Sequence, residues 1–357
     1  MTSVTKPSLF GLEHSNRVFS KSDAWGKNQF NSSFPASLLS WMGTQNINPV
    51  YLELDSLGHF KQSTISIKTL FGLPALDSSL FFAFEDAFTP YSDLIVGSLP
   101  RADLVTRNRA SSNKDALCAF EIKLTALPDS TTHHLSEMLW GCEIVVRPDT
   151  IVYLALSIAQ SYRTQRLYLQ KLLEKKPLGI ENWSNAQEVQ PYLPRIIEAL
   201  EHVFLDSTAS QIPILLQPIF KTEGKKSVLA QQCFDCFVWS NFALAKLFFM
   251  QSRLSKGSIT RHERSSVWLY KMLLDFAING IIDAKTIIDS LTYNLKNDKA
   301  FASAGSVTNP YMQSSELLTP RVPKDALREI ILGGGHFFLS PERRLDAIIV
   351  NTPGLFS

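Results

Sequence analysis

Residues 102–125 read ADLVTRNRASSNKDALCAFEIKLT, and two short runs within them decide what kind of chain this is. Ala102–Thr106 and Cys118–Thr125 have strand composition, and the polar segment Arg107–Lys114 supplies the turn between them. Side chains alternate between faces along a strand. Ala119, Glu121, Lys123 and Thr125 therefore share one face, while Phe120, Ile122 and Leu124 share the other. A carboxylate and an ammonium two residues apart, with an apolar back, are costly inside a closed sheet and make sense where that face opens onto a cleft. Asp103 stands on the preceding strand. One reading is a surface strand with a cross-face ion pair; the other is a hydrolytic centre.

Phosphodiester hydrolysis gives these groups work. The reaction needs a hard divalent cation that neutralises developing phosphate charge and lowers the pKa of an attacking water. Mg²⁺ takes oxygen ligands and keeps several waters, so one or two carboxylates and a main-chain carbonyl suffice. Asp103 and Glu121 are the expected ligands, with the carbonyl of Ile122 a third. Lys123 would orient the water, help ionise it or stabilise negative charge. Ionising the water requires a depressed amine pKa, which nearby carboxylates oppose and partial burial favours, so the three roles stay open.

Outward from this pair, Val50–Asp55 and Phe60–Lys68 read as a hairpin through Ser56-Leu57-Gly58. Leu80–Phe84 reads as a strand or a short buried helix, Glu143–Val146 as a strand, and Pro35–Met42 as a short helix. After Pro148 the period changes, and Asp149 or Thr150 can cap a long helix through Lys175. Leu193–Phe204, Ser227–Leu254, Ser265–Asn279 and Asp283–Leu295 have helical length. Ile212–Phe220 reads as an edge strand because of Pro213 and Pro218, and Ile330–Leu332, Phe337–Leu339 and Ala347–Val350 as short strands. The fold class is α/β: a mixed sheet core flanked by helices, with a mainly helical C-terminal elaboration. The expected division is 1–225 for the core and 226–357 for the elaboration, with a single domain as the alternative.

The 357 residues, 45% hydrophobic and 19% charged, suffice for a well-buried core and are far from a disordered composition. A net charge of +2 neither requires nor excludes nucleic acid, since a nuclease needs a basic cleft and not a basic average. The 4 cysteines are too few and scattered for a disulfide framework. Cys233-Phe-Asp-Cys236 has zinc spacing without a second pair, so buried structural cysteines are expected. Met1–Pro7 has no apolar signal core and no stretch has membrane-span length, so a cytoplasmic protein without membrane partners is expected.

Three blocks resemble the HindVP family of type II restriction endonucleases, within the PD-(D/E)xK nuclease superfamily. One is Gly97-Ser98-Leu99-Pro100-Arg101-Ala102-Asp103-Leu104-Val105 followed by Glu121-Ile122-Lys123-Leu124-Thr125-Ala126-Leu127-Pro128-Asp129. The second is Pro7–Glu13 continuing through Trp25–Pro35, and the third is Ile144–Ile151. The resemblance is strongest over about residues 7–160. It implies Mg²⁺-dependent cleavage of double-stranded DNA at a short GC-rich palindrome of the form GRCGYC, and a methyltransferase that protects the same site. Asp103, Glu121 and Lys123 match the nuclease signature. The proline that often directly precedes the first acid is here Pro100, which leaves Asp93 as a rival; Glu85 is a candidate further acid.

A palindromic target implies a two-fold symmetric homodimer. The densest basic stretch, Arg253–Arg264, nominates Lys256, Arg261 and Arg264 for DNA contact. Arg101, Arg107 and Arg109 flank the proposed metal site, and Lys21, Lys27, Asn28 and Asn31 form a basic N-terminal segment. Two other readings compete: a structure-selective repair or recombination nuclease, and a non-catalytic DNA-binding protein.

Overall fold

The computed structural model describes residues 27–110, 115–123, 125–126, 144–176, 178–223, 228–252, 259–293, 301–303 and 320–333. In chain order, helix α1 (Lys27–Thr44) leads into the hairpin β1 (Val50–Leu54) and β2 (Phe60–Thr64). Gly58, at φ 77°, takes the left-handed turn position that side-chain-bearing residues avoid. Strand character stops at Thr64, because Ser66 Oγ accepts from Thr69 N at 3.0 Å and starts helix α2 (Ile67–Phe71).

Next come β3 (Leu80–Asp86), a 3₁₀ turn at Thr89–Leu94, β4 (Ala102–Asn108), β5 (Ala116–Ile122), β6 (Thr125–Ala126) and β7 (Ile144–Val146). The helix expected through Lys175 is two helices, α3 (Pro148–Ser161) and α4 (Arg166–Leu173), separated by Tyr162 and a polar turn. Tyr162 is buried and its hydroxyl donates to Asp206 Oδ2 at 2.6 Å. Helices α5 (Ala186–Val189) and α6 (Leu193–Leu205) follow, then strands β8 (Pro213–Thr222) and β9 (Leu229–Ser240), and helices α7 (Asn241–Ser252), α8 (Arg261–Asn279) and α9 (Ala284–Ser290). The described chain ends with β10 (Phe301–Ser303), β11 (Val322–Pro323) and helix α10 (Lys324–Gly333).

The mixed sheet runs β2-β1-β9-β8-β5-β4-β3, with β11 added to β9 and β6 to β8. Pairs β1–β9 and β5–β8 are parallel, and the remaining neighbours along that path are antiparallel. Helices α3, α4, α6, α7 and α8 share one buried core with Val105, Leu215, Phe237 and Trp239. On the other face, α1, α2 and α10 pack with Leu104, Phe120, Ile122, Leu216 and Val238. The sheet is thus sandwiched, and the α/β class holds.

Three further sequence expectations change. Ser227–Leu254 is not one helix, because its first half is β9, a central strand buried on both faces. Such a strand shows no polar alternation and looks like a buried helix. Ser240 ends it, its Oγ accepting from Ala243 N at 3.1 Å to start α7. Ile212–Phe220 is not an edge, since β8 lies between β9 and β5. Pro213 is its first residue, and Pro218 falls where its parallel partner changes from β5 to β6. Residues 330–332 lie in helix α10, whereas 337–339 and 347–350 lie outside the described residues. Position 225 lies outside the described residues, and the strands on either side of it, β8 and β9, pair with each other.

Candidate active site

Strand register brings the two acids together. Leu104 pairs with Phe120 and Val105 with Ala119, so one step further along the ladder Asp103 stands opposite Glu121. Leu104, Phe120 and Ile122 are buried in the core beneath, which fixes the other face of both strands towards α3. Asp103 Oδ2 accepts from Ile122 N at 2.8 Å, so the carboxylate takes a strand-end amide. The Lys123 ammonium pairs with the Glu121 carboxylate, both side chains being mostly buried, while Lys123 N donates to Leu216 O at 2.9 Å. Asp103, Glu121 and Lys123 therefore converge at one end of β4 and β5.

Electrostatically the pair is under-compensated. Burial, and after it the Glu121 charge, push the Asp103 carboxyl up to about 6; Lys123, the Ile122 amide and Arg147 pull the other way without cancelling this. Lys123 pairs with Glu121, so Asp103 faces that carboxylate with the Ile122 amide as its own hydrogen-bond donor among the described residues. Among the described residues no three His, Cys, Asp or Glu side chains form a ready-made cage. The donors on hand are two carboxylates and the Ile122 carbonyl, all hard oxygens. That set fits Mg²⁺, which commonly keeps part of its water shell, better than a softer metal.

Helix α3 closes the site, which sequence reading missed by treating Asp149 and Thr150 only as caps. Pro148 opens the helix with its fixed φ and no amide to satisfy. In that first turn the Asp149 carboxyl is raised, by desolvation and then by the Glu121 charge. One turn on, the Tyr153 hydroxyl donates to Pro100 O at 2.7 Å and accepts from Phe88 N at 3.3 Å. Burial pushes that phenol up to about 12, so it keeps its proton. Thr150 is 1% exposed, and its hydroxyl has no hydrogen-bond partner among the described residues. The available signal was the Ile144–Ile151 block, which holds all of these but Tyr153.

The other nominated residues separate. Asp93 is an exposed acid on the 3₁₀ turn, ion-paired with Arg163. Phe84 pairs with Leu104 and Asp86 with Ala102, which places Glu85 across from Asp103, at a left-handed φ of 49°. Arg107 fixes the neighbouring segment, its Nε donating to Asp86 Oδ2 at 3.0 Å and its NH2 to Ala87 O at 3.1 Å. Arg107 is thereby engaged within the fold. Arg264 is buried, its guanidinium 4.9 Å from the Trp268 ring centre, which withdraws it from the surface that DNA could reach. Arg101, Arg109 and Arg261 are exposed, Arg109 lying over the Phe81 ring. Lys27, Asn28 and Asn31 fall on α1; Lys21 and Lys256 lie outside the described residues. Cys233 and Cys236 are buried in β9, as a structural role requires. No described helix is long and apolar enough to cross a membrane.

Comparison with known proteins supplies independent information. The family model described as HindVP restriction endonuclease matches residues 25–356. The chain is 51% identical over 354 residues to the type II restriction enzyme HgiDI of Herpetosiphon aurantiacus, covering 99% of this chain and 98% of that one. It is 41% identical over 355 residues to the probable type II restriction enzyme HindVP of Haemophilus influenzae, covering 98% and 95%. No solved structure matches the chain.

Proposed function

Because the chain belongs to the HindVP restriction endonuclease family and is thereby a type II restriction endonuclease, we propose that it hydrolyses double-stranded DNA with Mg²⁺ held by Asp103 and Glu121. The observation carrying this is the convergence of Asp103, Glu121 and Lys123 at one strand end, where burial and the facing Glu121 raise the Asp103 carboxyl. Asp103, Glu121 and the Ile122 carbonyl hold the cation. The chemistry that bound Mg²⁺ supplies is charge neutralisation at the scissile phosphate and a more acidic water. Lys123 brings three N–H donors to the same spot and orients the attacking water or a phosphate oxygen. Tyr153 anchors α3 to the segment before β4, which holds the helix wall of the site in place.

The target we propose is a short GC-rich palindrome of the form GRCGYC, cut by a two-fold homodimer with one centre per subunit. Exposed Arg101 and Arg261, together with Lys256, are the proposed DNA contacts. A methyltransferase acting on the same site protects the host and need not bind this protein. The test is purified protein with plasmid DNA and Mg²⁺. Discrete fragments with uniform ends at GRCGYC support the reading, and loss of cutting in Glu121→Ala and Lys123→Ala with DNA binding retained supports the site. Structure-selective nicking, or unchanged cutting by both variants, overturns the corresponding part.

A further inference from the structure

A small cavity lies between the start of α3 and the strand that carries Glu121. Its wall includes apolar Ala102, Ala119 and Ile214, and three polar side chains: Glu121, Thr150 and Tyr153. Its volume is about 10 Å³ as felt by the centre of a water molecule, which is room for roughly one water. The Thr150 hydroxyl on this wall is almost fully buried and unpartnered. Leaving such a hydroxyl unsatisfied forfeits its hydration without compensation, so it calls for a partner.

We propose that this cavity seats one ordered water bridging Thr150 to Glu121, making Thr150 a positioning residue for the cutting site. The hydrogen bonds balance. Thr150 donates its O–H to the water, and the water donates one hydrogen to the Glu121 carboxylate. Its other hydrogen goes to the Tyr153 oxygen, which already donates to Pro100 O and accepts from Phe88 N and so has one lone pair left. Three polar partners are what a buried water ordinarily has. The Lys123 ammonium holds Glu121 from one side, and the bridge ties it to α3 from the other. A carboxylate held twice has fewer rotamers to lose when it takes up a cation.

The inference rests on Glu121 being a working carboxylate of the cutting site, and the experiment keeps the two apart. Thr150→Val keeps shape and removes the hydroxyl; Thr150→Ser restores the hydroxyl alone. Single-turnover plasmid cleavage is measured against Mg²⁺ concentration, alongside melting temperature and a high-resolution crystal structure. Expected are a loss on the order of 10–100-fold in rate or Mg²⁺ requirement for Thr150→Val, recovery in Thr150→Ser, and density for one water between Thr150 and Glu121 in the parent. A dry cavity, or Thr150→Val cutting like the parent at the same Mg²⁺ requirement, overturns the proposal. Should Glu121→Gln also cut normally, the site assignment itself fails; should Glu121→Gln be inactive while Thr150→Val is normal, only the bridge fails.

Discussion

Two aspartates sit inside the same sheet and meet opposite fates. Asp235, on β9, is fully buried, and the fold supplies what it needs: Arg321 Nε donates to Oδ2 at 2.8 Å, Arg321 NH2 to Oδ1 at 3.1 Å, and Cys236 N to Oδ1 at 2.8 Å. Asp103, on β4, has the Ile122 amide as its hydrogen-bond donor among the described residues and faces a second carboxylate. The first arrangement ties the segment carrying β11 and α10 to the sheet and is complete. The second leaves one buried acid facing another, which on the proposed reading is where a cation would bind. A buried acid left against another acid, where the same fold elsewhere provides a guanidinium, is the feature on which the proposed cutting site rests.

Breaking each side of the comparison gives different losses. The largest is in catalysis: Asp103→Asn, Glu121→Gln or Lys123→Ala should each lower plasmid cleavage by about 10²–10⁴-fold while far-UV circular dichroism stays unchanged. Asp93→Asn, which removes the surface partner of Arg163, should cut within about twofold of the parent. On the structural side, Asp235→Ala strands Arg321 and should cost about 3–5 kcal/mol in urea denaturation, with activity lost only as folded protein is lost.

A smaller effect sharpens the contrast through pH. The folded-state value of Asp103 is raised, so the folded protein holds that proton more tightly than the unfolded chain does. Its stability contribution is full below the ordinary carboxylate value near 4 and is lost as pH rises through about 6. In metal-free buffer Asp103→Asn should therefore be more stable than the parent at pH 8, by on the order of 2–3 kcal/mol, and the gain should vanish near pH 4. Mg²⁺ binding, followed by melting temperature, should weaken as pH drops through about 6, where Asp103 of the metal-free protein takes up its proton. The smallest effect concerns Glu85. Glu85→Gly relieves the left-handed backbone and should raise stability by about 1 kcal/mol or less in urea denaturation; a loss of stability would show that the side chain does more than bear strain.

Legibility from sequence followed the same divide. The β4–β5 pair was readable because its polar face opens on the site and its apolar face packs in the core, so alternation survives at Phe120, Glu121, Ile122 and Lys123. The central strand β9 was not, because both faces are covered and Phe234 to Ser240 are buried without a break. Its boundary with α7 was marked only by Ser240-Asn241, a capping pair that a long apolar run obscures. Asp149, Thr150 and Tyr153 were unreadable as site residues for another reason. They lie on a helix about 25 residues or more beyond the strand they face, and only tertiary packing brings them to Glu121.

The most direct measurement is the melting temperature of the parent and of Asp103→Asn at pH 8, each with and without saturating Mg²⁺. The parent should gain stability on adding Mg²⁺. Asp103→Asn should start higher and gain nothing. Equal Mg²⁺ gains in both proteins, or a parent indifferent to pH and metal alike, would contradict a cation-requiring acid pair at Asp103 and Glu121.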